Sequence, residues 1–351
     1  RTTTMLAVLH NGARASVRRV GLAPSLREPW SASAGLLGSR RLLTSVAGGN
    51  EQRTWTHWPK RGLNILWKTT KYTYLGLSLI PTTLTLAAGY HWAVGHPEQV
   101  VRAHAFFAWT GFTAIPLSMF LLAAYPFVVI LDPQRRAFLD EVQRTWAKMT
   151  IYPFFKPQFE GIERIKHLTE GDVAVVYVSN HQSWTDIYAL LCLPFPIRFV
   201  SKEEIFYIPL VGWVMGLIGH VGVRRGNRQS RGSVVDACVQ KLQAGVSVYL
   251  FAEGTRSRDG LVQPFKRGAF VIAKEAHVPI VPISISGTGK LMPARHGETW
   301  LERSEDAPVL IHIHKPLYVE DFEDSDSMLA ETQRIIEGGI LSQVPAHVVE
   351  S

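Results

Sequence analysis

The chain has 351 residues, of which 46% are hydrophobic, and its formal net charge is +8. This length allows one large domain or two ordinary ones with a substantial core, and the hydrophobic fraction excludes a disordered chain. The two cysteines, Cys192 and Cys238, exclude a disulfide-built scaffold, a four-cysteine zinc site and an all-cysteine iron–sulfur cluster. A charge of +8 would suit nucleic-acid binding only if it lay in the folded part of the protein.

Residues 1–50 carry most of that charge. They contain seven Arg, no Lys and one acid, Glu28, which amounts to +6 and leaves +2 for residues 51–351. An Arg-rich, Ser-rich and acid-poor composition is typical of an organelle transit peptide, and a disordered basic tail is the alternative. We therefore predict a presequence over 1–50 and expect no nucleic-acid partner.

Residues 51–150 are expected to form a membrane-embedded helical hairpin. Tyr72–Pro97 and Ala103–Leu131 contain no Asp, Glu, Lys or Arg over 26 and 29 residues. About 20 residues suffice to cross a hydrocarbon core. Basic residues flank the outer ends of both stretches, which places those ends on the same face of the membrane. Prolines within the stretches permit a kinked or re-entrant path, and a pair of buried core helices is the alternative.

Residues 151–351 are expected to form an α/β domain with a largely parallel sheet flanked by helices. Short runs rich in β-branched residues alternate here with helical patterns. The predicted strands are Val173–Val178, Ile197–Val200, Val246–Phe251, Ile280–Ile285 and Val309–Ile313. The clearest helix between them is Gln229–Ala244, which Gly245 would end.

The first polar motif runs from Asn180 to Asp186, directly after the strand Val173–Val178. His181 and Asp186 are five residues apart, which a continuous helix would turn onto different faces, so pairing them requires a bend. A strand-to-helix loop supplies such a bend and would let the carboxylate orient an imidazole for proton transfer. A pair of residues that merely caps a helix is the alternative, and His167 and Asp172 show the same spacing in a polar turn.

The second motif, Phe251–Ser257, also follows a predicted strand. Gly254 would let a ligand approach the backbone, and Arg256 offers a planar fork that suits a phosphate. Glu253 would repel a phosphate, so we expect it to orient Arg256 or to accept a hydrogen bond from a substrate hydroxyl. A surface turn with an Arg–Glu pair is the alternative.

Two further segments complete the pattern. An apolar, glycine-spaced stretch runs from Lys202 through Gly212 to Arg225 and would suit either an acyl-chain groove or an ordinary buried helix. The segment Val278–Pro282 predicts a strand that carries prolines, which places it at a sheet edge or at a bulge.

In their order and spacing these four segments resemble the glycerolipid acyltransferases with an Asn-His-x4-Asp motif, a Phe-Pro-Glu-Gly-Thr-Arg-Ser motif and a Val-Pro-Ile-Val-Pro motif. The chain is most similar to the 1-acylglycerol-3-phosphate acyltransferases of plastid and bacterial type. The resemblance covers about residues 165–320. Ala252 stands where the family usually has Pro, and Gly222 and Arg224 depart from the usual residues before Arg225.

The resemblance implies acyl transfer from an acyl thioester, carried by acyl-carrier protein or coenzyme A, to the sn-2 hydroxyl of lysophosphatidic acid. It implies that His181, oriented by Asp186, acts as general base, and that Arg256 and Lys202 hold the phosphate. The other residues expected to bind substrate are Glu253, Gly254, Thr255 and Arg225. No bound cofactor or metal is expected.

Other readings remain open at this stage. A related acyltransferase could use glycerol 3-phosphate or another lysophospholipid, and a membrane esterase or thioesterase with a serine nucleophile belongs to a different class. The chain contains no Gly-x-Ser-x-Gly, which argues against an α/β-hydrolase. The presequence and the plastid-type motifs favour the plastid envelope, with a mitochondrial or endoplasmic reticulum membrane as alternatives.

Overall fold

A computed structural model describes residues 79–133, 135–208, 210–224, 228–296 and 299–341, with the backbone alone for 228–231. The presequence predicted over 1–50, the beginning of the first charge-free stretch and Arg225 lie outside the described residues. All described residues belong to one compact unit, Gln52–Ser351.

The α-helices of the described chain surround a central sheet. We label them α1 (79–93), α2 (Glu98–Leu131), α3 (Ala137–Ile151), α4 (Lys166–Glu170), α5 (Thr185–Leu190), α6 (Val211–Ile218), α7 (Arg228–Gln243), α8 (Gly268–Ala276), α9 (Thr288–Leu291) and α10 (Ser325–Leu341). Short 3₁₀ segments lie at Ile162–Ile165, Glu203–Tyr207, Ala294–His296 and Val319–Asp321.

The strands form one sheet in the order β1-β7-β6-β2-β5-β3-β4. Their bounds are β1 Gln158–Glu160, β2 Val176–Ser179, β3 Arg198–Lys202, β4 Val221–Val223, β5 Val248–Phe251, β6 Ile280–Ser286 and β7 Leu310–Ile313. Within the described sheet only the β6–β7 pairing is antiparallel, and the others are parallel. The prediction of a largely parallel sheet flanked by helices is confirmed.

Every strand predicted from the sequence is present, with ends that shift by up to three residues. The largest shift is at β2, which begins at Val176 rather than Val173. Val173 is 44% exposed and follows Asp172, whose φ of 53° turns the chain just before the strand. The strands β1 and β4 were not predicted, because three residues are too few to show a periodic pattern.

Alternate residues of the central strands feed two cores on opposite faces of the sheet. Tyr177 and Tyr249 join the core that includes residues of α2, α3 and α5, such as Phe106. Val176 and Val178 join the core formed with α7, α8 and α10. This period of two is what a sheet covered by helices on both faces requires.

Of the two positions predicted for the proline-bearing strand, a sheet edge or a bulge, the structure shows the second. The strand is β6, and it lies inside the sheet between β2 and β7 rather than at an edge. The pairing between β6 and the chain of β7 is interrupted. Ile283 pairs with Ile313 and Ile280 pairs with Leu317, so the second chain has one more residue between the two pairs than β6 has. Pro282 lies in that break, where a missing N–H costs no ladder bond.

The helix α2 is the one helix among the described residues that is long and apolar enough to cross a membrane. Only 28% of its most apolar window is buried. Large exposed side chains follow one another along it, namely Trp109, Phe112, Met119, Phe120, Phe127, Ile130 and Leu131. Because the preceding stretch is described only from residue 79, the two-helix membrane hairpin stays a prediction.

A buried ion pair connects α3 to the first residue of β3. Arg198 donates to both carboxylate oxygens of Asp140 at 2.5 and 2.8 Å, and the two side chains are 1% and 7% exposed. Arg198 also donates to the carbonyl of Arg135, in the turn that follows α2. The pair thereby fixes the α2–α3 connection against the sheet.

Replacing Asp140 by Asn should lower the free energy of unfolding by about 3–5 kcal/mol, because Arg198 keeps its charge in a buried site without its counter-ion. Chemical denaturation of the full chain in detergent micelles measures this change. The control is Glu170→Gln in the pair Lys166–Glu170, whose side chains are both 68% exposed, where a loss below about 1 kcal/mol is expected. Equal losses in the two variants would contradict the role of the buried pair.

Candidate active site

The polar motifs meet at the edge of the sheet that is formed by the carboxyl ends of its parallel strands. The strands β6, β2, β5, β3 and β4 are parallel to one another, so their carboxyl ends lie together. The register pairs Ser179, which precedes the first polar motif, with Phe251, which begins the second. Ligands of open parallel sheets bind at this edge.

His181 and Asp186 are in direct contact. The His181 Nδ1–H donates to Asp186 Oδ2 at 2.7 Å, and the same oxygen accepts the backbone N–H groups of Gln182 and Ser183 at 2.7 and 2.9 Å. Asp186 is fully buried, whereas the His181 side chain is 13% exposed. The carboxylate thus fixes the ring and leaves Nε2 as the acceptor nitrogen of a neutral imidazole.

The other His-Asp pair of the same spacing does not meet. His167 Nε2 hydrogen-bonds with the Tyr318 hydroxyl at 3.2 Å, and Asp172 pairs with Arg135 at 3.0 Å. His167 lies on the exposed face of α4, and Asp172 lies in the exposed turn between α4 and β2. A five-residue spacing therefore brings His and Asp together only where the loop after a strand provides the bend.

Asn180 anchors this loop to the neighbouring strand. Its amide donates to the Ile285 carbonyl and its Oδ1 accepts the Ile285 N–H, both at 2.8 Å, and the residue is fully buried. These two bonds replace ladder contacts at the point where β2 ends. The beginning of the loop is thereby held against β6.

The β5 side supplies the other wall of the site. The His181 ring stacks on Phe251 with a centroid separation of 3.8 Å and an interplanar angle of 16°. The Ser257 N–H donates to the His181 carbonyl at 2.8 Å. The imidazole is therefore held by Phe251, which stacks on one face of the ring, and by the Asp186 carboxylate, which accepts its Nδ1–H.

Glu253 connects the two motifs. One of its carboxylate oxygens accepts the His181 N–H at 2.8 Å, and the other accepts the Gln263 N–H at 3.3 Å. Burial, with Asp186 and Asp259 as further negative charges, raises the pKa of the Glu253 carboxyl to about 7 against the two hydrogen bonds, which lower it. Its assignment as a substrate ligand stays a prediction, because its oxygens here serve the backbone.

The remaining residues of the second motif form a tight turn. The Gly254 N–H donates to the Phe251 carbonyl at 3.0 Å, and the φ of Gly254 is +68°. Thr255 is exposed, and Arg256 is half-buried with its guanidinium 5.8 Å from the centre of the Trp184 ring. Arg256 therefore lies beside the loop that carries His181.

The third segment reaches the same edge from β3. Lys202 is the last residue of β3 and is exposed, and it is in register with Val223 of β4. Gly212 lies at the start of α6, where a Cβ atom would overlap the Phe206 backbone, so the glycine allows a close approach of two backbones. The phosphate-binding role of Lys202 stays a prediction, as does that of Arg225, which lies outside the described residues.

Sequence reasoning did not single out Lys266. Its side chain lies against the backbone of Gly254, and its N–H donates to the Ala252 carbonyl at 2.9 Å. The residue follows Phe265 in a loop with no strand or helix pattern, so no periodicity marks it. Only the folded loop brings it to the second motif.

Comparison with known proteins agrees with this geometry. Residues 156–286 match the family model described as Acyltransferase. A chloroplastic 1-acyl-sn-glycerol-3-phosphate acyltransferase of Brassica napus is 42% identical over 62% of this chain and 61% of its own length. A 1-acyl-sn-glycerol-3-phosphate acyltransferase of Chlamydomonas reinhardtii is 41% identical over 62% of this chain and 63% of its own length. The chain thus spans about 60% of the length of these curated relatives.

A solved structure shares the fold. The crystal structure of the 1-acyl-sn-glycerophosphate acyltransferase PlsC from Thermotoga maritima matches with a TM-score of 0.51 and 26% identity. The match covers 66% of this chain and 94% of that one. These matches confirm the resemblance inferred from the four motifs, and the family model matches residues 156–286 of this chain.

Proposed function

We propose that this protein transfers an acyl group from an acyl thioester to the sn-2 hydroxyl of lysophosphatidic acid and so makes phosphatidic acid. The observation that carries the proposal is the 2.7 Å contact between His181 and Asp186 at the carboxyl edge of the sheet, beside the loop that holds Arg256. The names of the relatives, which act as 1-acyl-sn-glycerol-3-phosphate acyltransferases, support the same substrate.

His181 acts as the general base. Its Nε2 takes the proton of the sn-2 hydroxyl as that oxygen attacks the thioester carbonyl. The carbon–sulfur bond then breaks, and the departing thiolate receives the proton from the imidazolium, so the histidine is regenerated. Asp186 stabilises the imidazolium and holds the ring in the tautomer that leaves Nε2 free to accept.

The acceptor phosphate lies at the cationic side of the site. Arg256 provides a bidentate fork, with Lys202 and Arg225 as further cations and the turn of Gly254 and Thr255 as the wall of the pocket. The donor is an acyl thioester of acyl-carrier protein or of coenzyme A. Because the thioester is already activated, the transfer needs no serine or cysteine nucleophile.

Other acceptors and a hydrolase remain the competing functions. An acyltransferase acting on glycerol 3-phosphate or another lysophospholipid would use the same base and the same cations. An esterase or thioesterase would release free fatty acid without any acceptor. The chloroplastic location in the name of the Brassica napus relative supports the plastid envelope as the membrane, with mitochondrial and endoplasmic reticulum membranes as alternatives.

Incubation of the purified protein with acyl-coenzyme A, with and without lysophosphatidic acid, tests the function. We expect phosphatidic acid only when the acceptor is present, and His181→Ala should lower kcat about 10²–10⁴-fold, as loss of a positioned base does. The matched control is His167→Ala, which removes the other histidine of the same spacing and should leave kcat unchanged. Fatty-acid release without acceptor would favour a hydrolase, and a fully active His181→Ala variant would exclude the base.

Arg256→Lys should raise the apparent KM for lysophosphatidic acid about 10-fold while the KM for the acyl donor changes little. Lysine keeps the charge but lacks the planar fork that binds a phosphate with two parallel hydrogen bonds. Initial rates at varied acceptor and fixed donor, and the reverse, measure the two constants. An unchanged acceptor KM would remove Arg256 from the phosphate site.

The raised pKa of Glu253 predicts how the stability of the folded protein depends on pH. The carboxyl has a pKa of about 7 in the folded protein against an ordinary value of 4.5. Between these values the folded protein binds a proton that the unfolded chain has lost, so this group makes stability fall as the pH rises from 4.5 to 7. Above pH 7 the loss of stability that this carboxyl causes stays constant.

Glu253→Gln removes this titration, so the melting temperature of the variant relative to wild type should increase as the pH rises from about 5 to about 8. Thermal unfolding at one detergent concentration across that range measures the difference. The control is Glu331→Gln, whose carboxylate has a pKa lowered by a hydrogen bond with Arg334 and therefore does not titrate in this range. A difference for Glu253→Gln that does not change with pH would contradict the buried, proton-binding carboxyl.

A further inference from the structure

The loop that begins at Glu253 closes on itself at Lys266. The Lys266 N–H donates to the Ala252 carbonyl at 2.9 Å, which brings the end of the loop back to its start. Within the loop, Ser257 accepts the Gly260 N–H at 3.0 Å and donates to Asp259 at 2.8 Å, so its interior is hydrogen-bonded. The position of Lys266 beside the second motif is therefore fixed by the backbone.

The Lys266 side chain lies over Gly254. A Cβ atom on Gly254 would be 2.5 Å from the Lys266 Nζ and 3.1 and 3.2 Å from its Cδ and Cε. The φ of +68° favours glycine at position 254, and the absence of a Cβ atom leaves room for the lysine side chain across it. The ammonium group of this exposed lysine therefore lies at the turn that leads to Arg256.

The charge of Lys266 is not neutralised by the acid next to it. Glu253 is 2% exposed, and its two oxygens accept backbone N–H groups. Among the described residues no Asp or Glu forms a salt bridge with Lys266. The neighbouring cation Arg267, in contrast, pairs with Asp326 at 2.5 Å.

We propose that Lys266 is a further cationic ligand of the acceptor phosphate, which it holds together with Arg256 and beside the predicted ligands Lys202 and Arg225. The Lys266 ammonium group lies over Gly254, which is two residues before Arg256. Lys266 and Arg256 both belong to the loop that the Lys266–Ala252 hydrogen bond closes. A phosphate dianion has more acceptor positions than one guanidinium fork fills, and a point charge on a flexible stem complements that fork. The assignment rests on the proposed function, since it needs a phosphorylated acceptor.

Lys266→Met tests the charge while it keeps the apolar stem and the backbone N–H that closes the loop. We expect the KM for lysophosphatidic acid to rise about 10-fold or more, with less than a twofold change in the KM for acyl-coenzyme A, and Lys266→Arg should recover most of the loss. The inhibition constant of inorganic phosphate, which presents the phosphate alone, should rise in parallel. The matched control is Arg267→Met, which removes the adjacent cation and should leave all three constants within about twofold.

A double-mutant cycle gives a second, independent measurement. Because a methyl group on residue 254 would lie 2.5 Å from the Lys266 Nζ, an atom that Met lacks, Gly254→Ala and Lys266→Met should change the acceptor KM less than additively. If Lys266→Met does not fold, Lys266→Gln takes its place in both experiments. Strict additivity would contradict the shared site.

The outcomes separate the two proposals. A wild-type protein that transfers no acyl group to lysophosphatidic acid contradicts the proposed function itself. An active wild type whose Lys266→Met variant matches Arg267→Met in acceptor KM and in phosphate inhibition overturns the assignment of Lys266 alone. Equal rises in the donor and acceptor KM would also overturn it, because they would indicate a change in the loop rather than in phosphate binding.

Discussion

The geometry of the site depends on one oxygen of a fully buried carboxylate, Asp186 Oδ2, which accepts three hydrogen bonds. Two of the donors are backbone N–H groups that would otherwise be buried without a partner at the start of α5, and the third is the imidazole of His181. The same oxygen therefore shapes the loop and orients the ring. A change at Asp186 would therefore alter the loop and the orientation of the ring together.

Glu253 extends this arrangement to the second strand. Its hydrogen bond to the His181 N–H joins the loop after β2 to the loop after β5, so the imidazole and Arg256 belong to one connected structure. Two carboxylates are brought close at this edge, and the negative charge of Asp186 adds to burial in raising the pKa of Glu253. Asp186 thus accepts from the imidazole, whereas Glu253 accepts from backbone N–H groups and keeps its proton up to near-neutral pH.

Much of the site could be predicted because its chemistry lies in short segments that follow strands. The runs that became β2 and β5 show their β-branched patterns, and parallel pairing alone brings their ends together. Three-residue strands such as β4 have no such pattern, and the place of Pro282 depends on a register break that only the folded sheet reveals. The position of Lys266 and the hydrogen-bond partners of Glu253 depend on how a loop closes, and the types and spacing of the residues do not predict that closure.

The strand β3 connects the apolar helix α2 to this edge of the sheet. Its first residue, Arg198, is held by Asp140 of α3 and by the carbonyl of Arg135 after α2, and its last residue is Lys202. Five residues of strand span about 13 Å, so a rigid element of that length separates the buried ion pair at Arg198 from Lys202, a predicted phosphate ligand. The buried ion pair therefore fixes the distance between the end of α2 and this end of the sheet. Because neither Arg198 nor Asp140 has solvent to compensate a lost partner, this distance is not free to vary while the protein stays folded.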